Sequence, residues 1–117
     1  MDIQVNKHQL ERVVIKWLNK YYGDLTLKHK KGVNINRSFY INKNNLVVME
    51  SYNATKVIFV HPDMIFNPIM IMFHLSKNEV YHVIEKWLKE TYDNDYEVRD
   101  GYGYSRFGVG SVLEDPQ

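Results

Sequence analysis

Two stretches of this chain, 70 residues apart, read almost alike, and they constrain where its helices lie. Asn6 to Tyr22 runs NKHQLERVVIKWLNKYY, and Ser76 to Tyr92 runs SKNEVYHVIEKWLKETY. Six of the seventeen positions are identical: Lys7/Lys77, Val13/Val83, Lys16/Lys86, Trp17/Trp87, Leu18/Leu88 and Tyr22/Tyr92. Each stretch opens on a helix start signal. Ser76 with Glu79 three residues on forms a capping box, in which the hydroxyl accepts from a first-turn N–H and the carboxylate accepts from the N–H of Ser76. Asn6 with Gln9 offers the same exchange. Val5 and Leu10, like Leu75 and Val80, stand where a hydrophobic staple packs. Apolar residues then recur at helical spacing: Leu10, Val13, Val14, Trp17, Leu18 and Tyr21 in the first stretch; Val80, Val83, Ile84, Trp87 and Leu88, with Thr91, in the second. Each stripe is expected to lie on a sheet. The helices stop near Gly23 and near Asp93-Asn94, and each feeds a short alternating segment, Leu25-Thr26-Leu27 and Tyr96-Glu97-Val98. The pattern suggests an internal α–β repeat, whether by duplication or by convergence.

Between the helices the period changes. Ser38 to Ile41 and Leu46 to Met49 read as strands joined by a hairpin around Asn44-Asn45, because Asn tolerates positive φ. Tyr52-Asn53-Ala54 is a turn, and Thr55 to Val60 is a further β-rich run, stopped by His61-Pro62-Asp63. Ile69 to Phe73, after Pro68, reads as a buried strand leading into Ser76. The expected fold is α+β, with two similar amphipathic helices packed on one face of a mainly antiparallel sheet. A chain of 117 residues makes one domain, over 1–113, with a flexible acidic tail at 114–117.

Composition removes several classes. The chain has no Cys, which excludes a disulfide scaffold, a thiolate metal site and a cysteine nucleophile. No apolar run approaches the roughly 18 residues of a membrane span. The start, MDIQVNKHQL, lacks the apolar core of a signal peptide. The expectation is a cytoplasmic protein with no membrane partner. Lys, Asn, Ile, Tyr and Phe, all with AT-rich codons, supply 45 of the 117 residues. That suggests a low-GC genome, such as that of a phage or another mobile element.

The formal net charge of +1 hides an asymmetry. Residues 1–78 hold eleven Lys/Arg against five Asp/Glu, whereas residues 79–117 hold four against nine. From Leu25 to Met49 there is no acid, and Lys28, His29, Lys30, Lys31, Arg37 and Lys43 fall in that stretch. Such a block binds phosphates or an acidic protein surface, or is simply solvated.

No motif assigns a reaction. The glycine-rich run from Asp100 to Gly110 is followed by no helix that could hold a phosphate on its N-terminus. Ser105 to Gly110 only loosely resembles an RNA-recognition strand, and its aromatic spacing differs. Glu79-x-x-His82-x-x-Glu85 places three ligand types on one helix edge, but the first helix supplies no facing set. His61-Pro62-Asp63 repeats a tripeptide of J-domain co-chaperones, where it joins two helices; between apolar, β-like runs it reads as a turn. No catalytic, cofactor-binding or metal-binding residue is assigned, and no cofactor is expected. The expected function is a small non-enzymatic protein-binding protein, of the inhibitor, accessory or immunity type, acting stoichiometrically on a protein partner. Tyr102, Tyr104, Arg106 and Phe107 are its candidate contact residues, since Tyr and Arg are enriched at interfaces. Homodimerisation through the Trp-bearing helices and the apolar stretch Met64 to Phe73 is a further expectation. A nucleic-acid-binding module using Lys28, His29, Lys30, Lys31, Arg37 and Lys43 is the alternative. A metal-free ribonuclease using His29, Lys31 and Arg37 is the second alternative.

Overall fold

The computed structural model of the chain describes residues 6–31, 36–101 and 109–112. Helix α1 (Lys7–Tyr22) is followed by β1 (Thr26–Lys31), β2 (Asn36–Ile41), β3 (Val47–Tyr52) and β4 (Val57–Val60). A π-helical turn (Pro62–Phe66) runs into α2 (Asn67–Phe73), and then come α3 (Lys77–Tyr92) and β5 (Glu97–Asp100). The fold is α+β, as expected, with three helices rather than two.

Both capping boxes form. Asn6 Oδ1 accepts from the His8 N–H at 2.8 Å, and Gln9 Oε1 accepts from the Asn6 N–H at 3.3 Å. Ser76 Oγ accepts from the Glu79 N–H at 3.2 Å, and Glu79 Oε1 accepts from the Ser76 N–H at 3.0 Å. Ser76→Ala is expected to cost about 1 kcal/mol, seen as a lower urea midpoint. An unchanged midpoint would show that the cap adds nothing to α3.

The strands are ordered β1-β2-β3-β4-β5 in one sheet. The first three pairings are antiparallel, and β5 joins β4 in parallel. The parallel pairing follows from the connection, because the chain leaves β4, crosses through α2 and α3, and returns in the same direction. Asn42 Oδ1 accepts from the N–H groups of Asn44 and Leu46 in the β2–β3 turn, and Asn45 takes a positive φ of 61°. The strand expected over Thr55–Val60 begins at Val57, because Asn53 to Lys56 form the turn before it.

The stretch Ile69 to Phe73, expected as a strand, is helical. His61 starts the helical region. Its Nδ1 accepts from the N–H groups of Asp63 and Met64, and Pro62 takes a first-turn position where no N–H is needed. Pro68 likewise stands in the first turn of α2. An apolar run of five residues shows no period of its own, so helix and strand read alike there.

Helices α1 and α3 lie side by side and run the same way. Glu11 meets His82 and Lys86, Asn19 meets Trp87 and Thr91, and the Tyr92 hydroxyl donates to the Tyr22 carbonyl. The two strands they feed differ. β1 is an edge strand antiparallel to β2, whereas β5 is the opposite edge and parallel to β4. The resemblance therefore stays with the helices, and no repeat of the whole α–β unit is established.

The helix-side core joins Val14, Ile15 and Leu18 of α1 to Val80, Val83, Ile84, Trp87 and Leu88 of α3 over Tyr40, Met49, Ile58, Val60 and Val98. The other sheet face carries a second apolar cluster of Phe39, Ile41, Val47, Tyr52, Val57 and Phe59, which Val109 joins. Covered on both faces, β3 and β4 are buried throughout.

Candidate partner-binding surface

The matching helices are not packed alike. Val83 is 1% exposed, yet the identical Val13 is 51% exposed. In α1 the buried side chains are Val14, Ile15 and Leu18, so the helix is turned away from the stripe expected of it. Val13, Trp17 and Tyr21, spaced one helical turn apart, run along its solvent margin. Val13 and Tyr21 are thereby corrected from core to surface, and Ile15 takes the inward place.

Trp17 also meets the end of α2. The Trp17 ring lies 5.3 Å from Tyr21 and 6.5 Å from Phe73, measured between centroids. Phe73 ends a helix with no charged residue, on which Ile71 is 73% exposed and Met72 47% exposed. Lys16 and Lys20 stand exposed beside the stripe, and the Lys20 ammonium is 5.3 Å from the Tyr21 ring. Arg12, one turn earlier, binds both carboxylate oxygens of Glu90 at 2.8 and 2.9 Å. Beyond Tyr21 the surface falls into an open hollow of about 330 Å³, lined by Leu25, Thr26, Ile41 and Lys43 among others. These exposed apolar and aromatic side chains, with Lys16 and Lys20 nearby, make the candidate surface.

The basic block is divided by strand alternation. Lys28 is half-buried on β1, across from Phe39 on the sheet face away from the helices. His29 is exposed, across from Ser38, and its Nδ1 lies 2.8 Å from Ser38 Oγ. Lys30 and Lys31 stand in register with Arg37 and Asn36. Lys43 lies beyond the other end of the ladder, past the Thr26–Ile41 pair, roughly 17 Å of strand away from Lys31. Tyr102, Tyr104, Arg106 and Phe107 lie outside the described residues, so their candidate contact role belongs to the sequence alone.

Arg37 has a structural partner that the sequence did not flag. Glu50, in the middle of β3, is fully buried between Phe39 and Phe59 of the flanking strands. Its Oε1 lies 3.4 Å from Arg37 Nη1, and the guanidinium stands 5.7 Å from the Phe39 ring. The apolar run Leu46–Met49 suggests a strand ending before Glu50, whereas β3 continues through it to Tyr52.

His61 is buried, and burial pushes its pKa below the ordinary value, against a smaller opposing pull from the Asp63 charge. Its cap requires an unprotonated Nδ1. That stability is complete above the unfolded-state pKa of about 6.5 and is lost as pH falls through it toward the lower folded value. The urea midpoint should therefore drop from pH 7.5 to 5.5 by more in the native chain than in His61→Asn, whose amide caps at either pH. Parallel profiles would contradict this.

Among the described residues no three His, Asp or Glu side chains are grouped to hold a metal ion. Among them, too, no helix is long and apolar enough to cross a membrane. Glu79 is engaged in its capping box, and His82 lies 3.5 Å from Glu11 of α1. Comparison with protein-family models, with curated proteins and with solved structures finds no match.

Proposed function

We propose that the chain is a small non-enzymatic protein-binding protein, acting stoichiometrically on a protein partner in the manner of an inhibitor, accessory or immunity protein. The observation that carries this reading is the exposure of Val13 and Tyr21 on α1 and of Ile71 and Met72 on α2, two helices that touch through the half-buried Trp17 and Phe73. Burying such side chains against water-exposed apolar surface supplies roughly 25 cal/mol per Å², and rigid aromatic anchors do so at low entropy cost. Lys16 and Lys20 on the flank favour a partner with acidic residues around an apolar centre. A photo-crosslinking residue placed at position 71 is expected to capture one discrete protein from the lysate of the encoding cell. The same residue at position 54, in the exposed β3–β4 turn, should capture none of it. Equal capture from both positions would remove this surface from the reading, and the captured protein, once purified, must bind the native chain at a fixed ratio.

A further inference from the structure

We infer that the outer edge of β1 is a second docking site, which takes an extended acidic segment of a partner protein as a sixth strand of the sheet. This goes beyond the α1–α2 surface and uses a different kind of contact. β1 is the first strand of the sheet and pairs with β2 over six residues. Among the described residues no strand pairs along its other side. The opposite edge has a partner for one of its outward groups. Along β5 the N–H groups of Glu97 and Gly101 donate to the carbonyls of Lys56 and Val60, so the intervening Val98 N–H points away from β4. Glu85, reaching down from α3, accepts that N–H at 3.4 Å. One edge thus has an outward N–H taken by a helix side chain, and among the described residues the other is left as a strand-length template.

The charge of β1 selects its occupant. The strand reads Thr26-Leu27-Lys28-His29-Lys30-Lys31 and carries no acid. A second copy adding β1 against β1 would double the positive charge along one seam, and charged edges of this kind are how natural sheets resist self-pairing. An acidic strand meets the same edge favourably, and charge complementarity steers it there. Main-chain hydrogen bonds would give such an addition its affinity, and alternate side chains its register. Leu27, 43% exposed on the helix side of β1, offers that register an apolar contact next to His29.

The test uses the isotope-labelled full chain and a synthetic peptide of about ten residues alternating Glu with Val or Thr, the length of a typical strand with its flanks. The peptide should shift the backbone amides of β1 and β2 saturably. Raising salt from about 50 to 200 mM should weaken binding roughly fivefold, as screening predicts for exposed charges. Lys30→Glu/Lys31→Glu should abolish the effect, and Lys30→Gln/Lys31→Gln should weaken it with the fold intact by circular dichroism. A peptide with Lys in place of Glu should not bind. Tyr21→Ser and Ile71→Ser should leave the peptide shifts unchanged, which separates this site from the α1–α2 surface. The inference is overturned by no shift at millimolar peptide, by equal binding of the Lys peptide, or by shifts centred outside β1. Slow amide exchange along both sides of β1 in the free chain, a dimer built on β1, or an oligonucleotide binding there in place of the peptide overturns it equally.

Discussion

Trp87→Ala is expected to lower the free energy of unfolding by about 3–5 kcal/mol. Trp87 is completely buried and is the largest of the fully buried side chains. It packs edge-on against Tyr92 at 5.6 Å, and its indole N–H donates to Asn19 Oδ1 at 2.8 Å. Asn19 belongs to α1, and the same oxygen accepts from Thr91 at 3.0 Å. The substitution therefore opens a cavity and removes a hydrogen bond that holds the two parallel helices in register. Against a total stability of roughly 6–15 kcal/mol for a chain this size, that is a large fraction. Trp17→Ala, at the matching position, should cost less than half as much, because Trp17 is only half-buried. Urea unfolding of both variants checks the contrast. Equal losses would mean that α1 is packed as deeply as α3.

The second large effect falls on the far face of the sheet. Arg37→Met should cost about 2–3 kcal/mol, because it takes an opposite charge away from a carboxylate that is sealed between two phenylalanines. Glu50→Gln should cost less, since the amide keeps the shape and hydrogen-bonding capacity of the site without the charge. The double variant Arg37→Met/Glu50→Gln should be more stable than the sum of the two losses implies, with a coupling of about 1 kcal/mol or more. A double-mutant cycle in urea measures it. Strict additivity would show that Arg37 and Glu50 are neighbours without being energetically linked.

Local signals carried most of the helix and turn assignments. The capping pairs Asn6/Gln9 and Ser76/Glu79 are complete within four residues of chain, so α1 and α3 start where the sequence says they start. The Asn42–Leu46 turn is equally local. Where the outcome depends on tertiary packing, the residues say less. Val13 and Val83 occupy the same place in the same pattern, and only the seating of α1 beside α3 decides that one is exposed and the other buried. Ile69 to Phe73 is uniformly apolar, so its helical state rests on His61 and the two prolines, residues that also make turns. Glu50 follows an apolar run and looks like its end; only pairing with β2 and β4 on both sides encloses it. The parallel return of β5 depends on a crossover that no local pattern announces. The basic block is contiguous in sequence, yet alternation along β1 and the length of the ladder spread it over two faces and two ends. The candidate surface on α1 and α2 was legible only in part. The sequence offered the Trp-bearing helices and the apolar stretch Met64–Phe73 as contact material, and their exposed side chains emerge from the packing.

The surface proposed to bind a protein partner lies on α1 and α2. Isothermal titration calorimetry with the purified partner tests it most directly, comparing the native chain with Tyr21→Ser/Ile71→Ser/Met72→Ser. These three side chains are about half exposed or more, so the variant should unfold at nearly the native urea midpoint. The prediction is saturable binding at a fixed ratio by the native chain, with affinity reduced at least about a hundredfold in the variant, or roughly 2.7 kcal/mol. Native-like affinity in a folded variant would contradict the account.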